Sequence, residues 1–156
     1  VLNVFGGRST ASRTLAEGAL GKIAGVLPRA SGPWTAGVPL PGGDFPVQGV
    51  GALVEGLRAD YPFLTERWAL RLVRAYGTEA RAILGAARSD GDLGDAFGAT
   101  LTAAEVDWLM TREFARTADD VVWRRCKLGL RMTAEQIARL DAWMAERRPA
   151  LAAAAE

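Results

Sequence analysis

Residues 102–144 decide the fold class of this chain: TAAEVDWLMTREFARTADDVVWRRCKLGLRMTAEQIARLDAWM. The stretch contains three helix starts. Residues 102–105 (TAAE) and 133–136 (TAEQ) have the spacing of a capping box, in which a hydroxyl bonds the third amide and the third side chain reaches back. Residues 117–120 (TADD) place two acids in the positive first turn of a helix. Three consecutive helices are therefore predicted, and the fold class is mainly α.

Apolar residues recur at intervals of three or four behind these starts, as on the buried face of an amphipathic helix. Gly129 is expected to end the second helix, and Pro149 the third, which leaves residues 149–156 as a frayed tail. The predicted core positions of the first and third helices are Val106, Leu109, Met110, Phe114, Ile137, Leu140 and Met144.

The same periodicity extends upstream. It predicts helices over residues 47–58, from Pro62 to Gly77 and over residues 78–87, whereas residues 88–100 are rich in Gly and Asp and predict a loop. Residues 47–148 are therefore predicted to form a helical domain of about six helices.

The first 27 residues have a different pattern. Residues 1–5 (VLNVF) form an apolar run typical of a buried strand, and a helix follows from Ser9, capped by Ser9 or Thr10. Residues 28–46 are dense in Pro and Gly and predict a linker between two domains. Because a lone strand needs a partner for its backbone, we expect either a missing upstream sheet or pairing with a second copy, which would give a homodimer.

Composition excludes several kinds of chemistry. The chain has 156 residues, no His, one Cys and a formal net charge of +1. It therefore has no Ser-His-Asp triad, no His-ligated zinc site and no internal disulfide. No apolar run is long enough to predict a membrane span, and the first residues lack the pattern that predicts a signal peptide. Since the chain does not begin with Met, we expect it to derive from a longer protein.

Candidate sites lie in three segments. Residues 6–10 (GGRST) join a strand to a helix start, which suits an anion or a carbonyl, although a tight turn gives the same pattern. The basic cluster at residues 123–131 could bind nucleic acid, but the near-zero net charge favours helix-dipole compensation and local salt bridges. Asp119 and Asp120 are interpreted as capping residues and Cys126 as a structural thiol.

Four segments resemble one family in the same order along the chain. They are residues 4–10 (VFGGRST), 39–45 (PLPGGDF), 72–77 (LVRAYG) and 115–130 (ARTADDVVWRRCKLGL). Together they resemble the C-terminal part of aerobic, FAD-dependent glycerol-3-phosphate dehydrogenases. The resemblance implies one strand-turn-helix of an FAD-binding domain at residues 1–27, followed by the helical C-terminal domain of that family.

The resemblance also implies a function. Enzymes of this family oxidise sn-glycerol 3-phosphate to dihydroxyacetone phosphate and pass electrons through FAD to a quinone. Their glycine turn lies against the flavin, which implies that Gly6, Gly7, Arg8, Ser9 and Thr10 bind the cofactor. Arg8 stands where the family usually has Lys, so the positive charge is kept.

No GxGxxG fingerprint occurs in the chain, and no catalytic residue is assigned to it. We therefore expect FAD to bind the parent enzyme and not this chain alone, which is expected to be inactive and structural. The expected partner is the upstream FAD and substrate domain, in a cytoplasmic protein that can associate with the inner face of the cytoplasmic membrane. The alternative is a free-standing helical interaction module that dimerises; a nucleic-acid partner is not expected.

Overall fold

A computed structural model describes residues 2–5, 11–27 and 32–153. The chain divides into two compact units, Val1–Leu40 and Pro41–Glu156. Helices dominate, which confirms the mainly α fold class, and one small two-stranded sheet accompanies them.

The first unit contains helix α1, Ser12–Ile23, and a 3-10 turn, Ala24–Val26. No residue of α1 is buried. Glu17 is the main tertiary anchor of this helix, because its Oε1 accepts the backbone N–H of Thr35 at 3.1 Å and also the Thr35 hydroxyl. Residues 2–5 are assigned to no strand, and the strand predicted at residues 1–5 stays a prediction because its expected partner lies outside this chain. Nothing in the described part of the chain supplies the second strand that pairing requires.

Helices α2, Val50–Asp60, and α3, Glu66–Tyr76, begin the second unit. The predicted start of α3 near Pro62 is too early. Thr65 is the N-cap instead, since its hydroxyl accepts the backbone N–H of Trp68 at 3.3 Å. Gly77 ends α3 as predicted, with a φ of 55° that favours glycine.

A close backbone approach fixes the end of α3. The N–H of Thr78 donates to the carbonyl oxygen of Gly42 at 3.0 Å. A Cβ on Gly77 would overlap that same oxygen, and a Cβ on Gly42 would overlap the carbonyl of Tyr76. Both positions therefore need glycine for space as well as for conformation.

A short hairpin replaces part of the loop predicted at residues 88–100. After helix α4, Ala80–Leu84, and a 3-10 turn, Asp90–Leu93, strand β1, Ala96–Gly98, pairs antiparallel with β2, Leu101–Thr102. Strands this short carry no alternating pattern that sequence could reveal. The turn residues Ala99 and Thr100 have φ values of 48° and 68°, a conformation usually supplied by Asn-Gly.

Helix α5, Ala103–Arg112, lies at the centre of the core, with Val106 and Leu109 almost fully buried. The capping box predicted at residues 102–105 is wrong, because Thr102 makes no side-chain cap and Glu105 points into the interior. Phe114 is also wrong as a core residue. It is 74% exposed and has a φ of 58°, since the chain leaves the helix before reaching it.

The last elements are a π-helical turn, Asp120–Arg125, a 3-10 turn, Leu128–Arg131, and helix α6, Ala134–Ala153. The second capping box is confirmed: Thr133 N–H donates to Gln136 Oε1 at 2.9 Å, and Gln136 N–H donates to Thr133 Oγ1 at 3.3 Å. Pro149 does not end α6. A proline in a helix lacks one backbone N–H donor and clashes with the preceding turn, but α6 continues past this position to Ala153.

Candidate functional site: an arginine-lined cleft

The five residues predicted to bind flavin lie outside the described residues. They are Gly6, Gly7, Arg8, Ser9 and Thr10. Their role therefore stays a prediction, and the candidate site that the structure shows is elsewhere.

A cleft of about 670 Å³ opens in the second unit, beside α3, the hairpin turn and the segment that contains the π-helical turn. Arginines dominate its lining. Three of them come from α3 and two from the segment that follows α5, and Trp68 adds an aromatic wall. The five are Arg67, Arg71, Arg74, Arg125 and Arg131.

Arg71 is the fixed member of this set. Its Nη1 and Nη2 donate to the two oxygens of Glu105 at 2.6 and 2.7 Å. Its Nε donates to Thr100 Oγ1 at 2.9 Å, and its Nη2 also reaches the Thr100 carbonyl oxygen at 2.9 Å. Arg71 therefore holds the unusual hairpin turn against α3 and orients one wall of the cleft.

The carboxylate below Arg71 is buried. Glu105 is 1% exposed, and Tyr76 Oη donates to its Oε1 at 2.8 Å. Burial opposes the charge of Arg71, but the hydrogen bonds and charge of Glu105 outweigh it and raise the pKa of Arg71. Burial, followed by the charge of Glu105, raises the pKa of Tyr76. Arg71 is thus charged and Tyr76 neutral at any physiological pH.

The other cleft arginines differ in their pairing. Arg125 donates from Nη2 to the carbonyl oxygen of Glu113 at 2.7 Å, and its Nε lies 3.5 Å from Glu113 Oε2. Arg67, Arg74 and Arg131 are exposed, and none forms an ion pair with an acidic side chain among the described residues. Three guanidinium groups therefore remain available at the cleft.

The basic cluster at residues 123–131 is mostly satisfied locally, as the sequence predicts. Arg124 pairs with Asp120 at 2.8 Å, and Lys127 Nζ donates to the Trp123 carbonyl oxygen. Arg125 pairs with Glu113, whereas Arg131 lines the cleft instead. Two local salt bridges and one hydrogen bond to a backbone carbonyl oxygen therefore account for three of the four cationic side chains.

Asp120 is confirmed as a cap. Its Oδ2 accepts the backbone N–H groups of Arg116 and Thr117, each at 3.0 Å, and the Thr117 hydroxyl at 3.1 Å. These hydrogen bonds lower the pKa of the Asp120 carboxyl group, and the bond from the Arg116 N–H has the largest effect. Within the described residues no group of three His, Cys, Asp or Glu side chains is arranged to hold a metal ion.

Cys126 behaves as a structural thiol. Its Sγ donates to the carbonyl oxygen of Val121 at 3.1 Å. Burial raises the pKa of this thiol despite the neighbouring cations, so it is a poor nucleophile at neutral pH.

The arginines of α3 were not among the predicted site residues, although their spacing in the sequence is a signal. Arg67, Arg71 and Arg74 are spaced by four and three residues, which places them on one face of a helix. The two facing arginines could not be found this way, because only the tertiary fold brings their segment to α3.

Among the helices that the structure describes, none has the length and apolar character that crossing a bilayer would require.

Comparison with known proteins identifies the relatives of this chain. It is 41% identical over 149 residues to a glycerol-3-phosphate dehydrogenase of Pseudomonas aeruginosa, covering 96% of this chain and 29% of that protein. It is 40% identical over 154 residues to the aerobic glycerol-3-phosphate dehydrogenase of Escherichia coli K12, covering 94% and 29%. A D-erythritol 1-phosphate dehydrogenase of Brucella abortus is 34% identical over 143 residues, covering 92% and 28%.

The chain thus spans less than a third of the length of these dehydrogenases. Residues 33–150 match the family described as the C-terminal domain of alpha-glycerophosphate oxidase. That match includes every helix of the second unit except the last residues of α6. The resemblance found in the sequence is confirmed, and the chain belongs to the family of alpha-glycerophosphate oxidase C-terminal domains.

Proposed function

We propose that this chain is the C-terminal part of an FAD-dependent enzyme that oxidises sn-glycerol 3-phosphate to dihydroxyacetone phosphate. The observation that carries the proposal is the 40–41% identity to two glycerol-3-phosphate dehydrogenases over almost the whole chain. Identity to the D-erythritol 1-phosphate dehydrogenase is lower, at 34%. Glycerol 3-phosphate is therefore the favoured substrate among polyol phosphates.

In this proposal the turn at residues 6–10 lies beside the isoalloxazine ring. Bound there, FAD would supply the chemistry that takes up the hydride and transfers electrons to a quinone. Gly6 and Gly7 allow close approach of the backbone, while Arg8 and the hydroxyls of Ser9 and Thr10 stabilise negative charge that develops on the ring. A cation, small residues and hydroxyl donors suit an anionic ring edge.

The helical domain has a structural role in this proposal. The chain contains no His to act as a base, and the largest buried side chains of its described part all lie in the second unit. The upstream FAD and substrate domain is the proposed partner. The whole protein works in the cytoplasm and associates peripherally with the membrane that holds its quinone.

A chimera tests the proposal directly. The C-terminal 29% of the E. coli relative is replaced by this chain, and glycerol-3-phosphate-dependent reduction of a quinone analogue is measured. We expect an active, FAD-loaded chimera that keeps activity with Arg8→Lys and loses most of it with Arg8→Gln. Lys22→Gln on α1 is the matched control and should leave the rate unchanged. A folded, flavin-loaded chimera without activity contradicts the proposal.

Flavin titration of the 156-residue chain tests the expectation that FAD binds the parent enzyme and not this chain alone. We expect no stoichiometric FAD binding, because the dinucleotide fingerprint is absent from the sequence. Tight one-to-one binding would show that the chain is a complete flavin-binding unit.

A dimerising interaction module is the second candidate. The observation that favours it is the exposed apolar surface of the first unit, where Phe5 is 89% and Leu20 is 52% exposed. Sedimentation equilibrium distinguishes the two, since a concentration-independent dimer that Phe5→Ser and Leu20→Ser together dissociate would support the module.

A further inference from the structure

We propose that the arginine-lined cleft binds a phosphate monoester. Arg67, Arg74 and Arg131 contact the phosphoryl oxygens, and Arg71 forms a fixed wall of the site. The proposal concerns residues 65–131 only and assigns a ligand to a domain whose proposed function is otherwise structural.

Charge is the first argument. Five guanidinium groups line the cleft, and within the described part of the chain two of them pair with acidic side chains, Arg71 with Glu105 and Arg125 with Glu113. Arginine stays protonated at any physiological pH, so the unpaired groups cannot relieve their repulsion by losing a proton. An anion in the cleft would relieve it.

Geometry is the second argument. The arginines converge from two segments on one concave space of about 670 Å³, within the range of small-ligand sites. Arg71 is held by four hydrogen bonds to Glu105 and Thr100, so this wall is ordered before any ligand arrives. Preorganisation of this kind lowers the entropic cost of binding.

Ligand chemistry is the third argument. A phosphate monoester carries nearly two negative charges and three acceptor oxygens, and it matches the planar fork of several guanidinium groups at once. Trp68 and Leu70 line the same cleft and offer an apolar surface to the remainder of the ligand. The phosphate can belong to a soluble metabolite or to a lipid headgroup, since the recognised chemistry is the same.

The test uses the full chain and follows the arginine Nε–Hε signals by NMR. The soluble probes are inorganic phosphate and a short alkyl phosphate, and the lipid probes are vesicles of phosphatidic acid or of phosphatidylcholine. We expect saturable shifts of the cleft arginines, and an affinity that Arg74→Gln with Arg131→Gln lowers at least tenfold. Arg58→Gln, an exposed arginine on α2 outside the cleft, is the matched control and should change the affinity less than twofold.

The pattern of binding among the probes decides whether the cleft is a phosphate site. Saturable binding of the soluble phosphates, or of phosphatidic acid vesicles but not phosphatidylcholine, supports the site and identifies its source of phosphate. Equal weakening by Arg58→Gln would show general charge attraction and overturn the proposal. It is also overturned if millimolar phosphate and phosphatidic acid both leave the cleft signals unmoved.

Discussion

Glu105 is a buried carboxylate whose two oxygens accept hydrogen bonds from Arg71 and Tyr76. We expect Glu105→Gln to lower the free energy of unfolding by about 3 kcal/mol, because it leaves the Arg71 guanidinium without its buried counter-charge. Urea unfolding followed by circular dichroism measures the change.

The control for this substitution is Glu55→Gln, an exposed acid on α2. It removes the same charge and should change the free energy by less than about 0.5 kcal/mol. If the two variants are equally stable, the Arg71–Glu105 pair does not hold α3 and α5 together.

The ionisation of Asp120 should make the free energy of unfolding depend on pH in the acid range. Its hydrogen bonds lower the pKa in the folded state, so its contribution is fully present above the ordinary aspartate pKa of roughly 3.9 and is lost as pH falls through the lower folded value. Asp120→Asn keeps an accepting oxygen but removes the charge that strengthens these hydrogen bonds, so it should cost up to about 1 kcal/mol at neutral pH. The difference in unfolding free energy between the parent chain and the variant should shrink below about pH 4.

Asp119→Asn is the matched control, since Asp119 is the exposed neighbour of the cap. Asp119→Asn should not lower the free energy of unfolding at neutral pH. Its difference from the parent chain should also not change in acid. A constant gap between Asp120→Asn and the parent chain from pH 7 to acid would contradict the assignment of Asp120 as a charged cap.

At the scale of elements, the contact between Gly42 and Gly77 fixes the end of α3. Gly77→Ala should destabilise the chain by about 3 kcal/mol, because its Cβ meets the Gly42 carbonyl and its φ of 55° strains an alanine. Thermal unfolding measures the change. Gly51→Ala within α2 is the control: nothing lies within 4 Å of its Cβ, and the change should stabilise the chain by roughly 0.5–1 kcal/mol. If Gly77→Ala and Gly51→Ala lowered the stability equally, the close approach of Gly42 and Gly77 would not be the cause.

The two capping-box patterns show how far sequence predicts an element. Residues 133–136 form the box, whereas in residues 102–105 the acid pairs with Arg71 across the fold. Both patterns permit a cap, but for residues 102–105 an arginine on a neighbouring helix, Arg71, competes for the acidic side chain. Helix periodicity predicted α2, α3 and α5 because it is local. The hairpin escaped prediction because its turn depends on the hydrogen bonds from Arg71 to Thr100.

For the whole molecule, the motif at residues 115–130 predicted the family, which the match over residues 33–150 confirms. It did not predict the cleft. The cleft joins α3 to a segment more than 45 residues further along the chain, and no spacing rule links Arg74 to Arg131. The predicted flavin contacts at residues 6–10 are different, because these residues are consecutive and their motif can be recognised in the sequence. The rest of a flavin site would have to come from other residues.

The lack of any buried residue in α1 has a consequence for local stability. A helix of 12 residues without a packed face is only marginally stable by itself in water. Amide hydrogen exchange in α1 should therefore proceed through local opening, with a free energy near zero that denaturant does not change. Amides in the middle of α5 should exchange only through global unfolding. Equal protection of the two helices, measured by NMR, would mean that α1 and the core unfold as one cooperative unit.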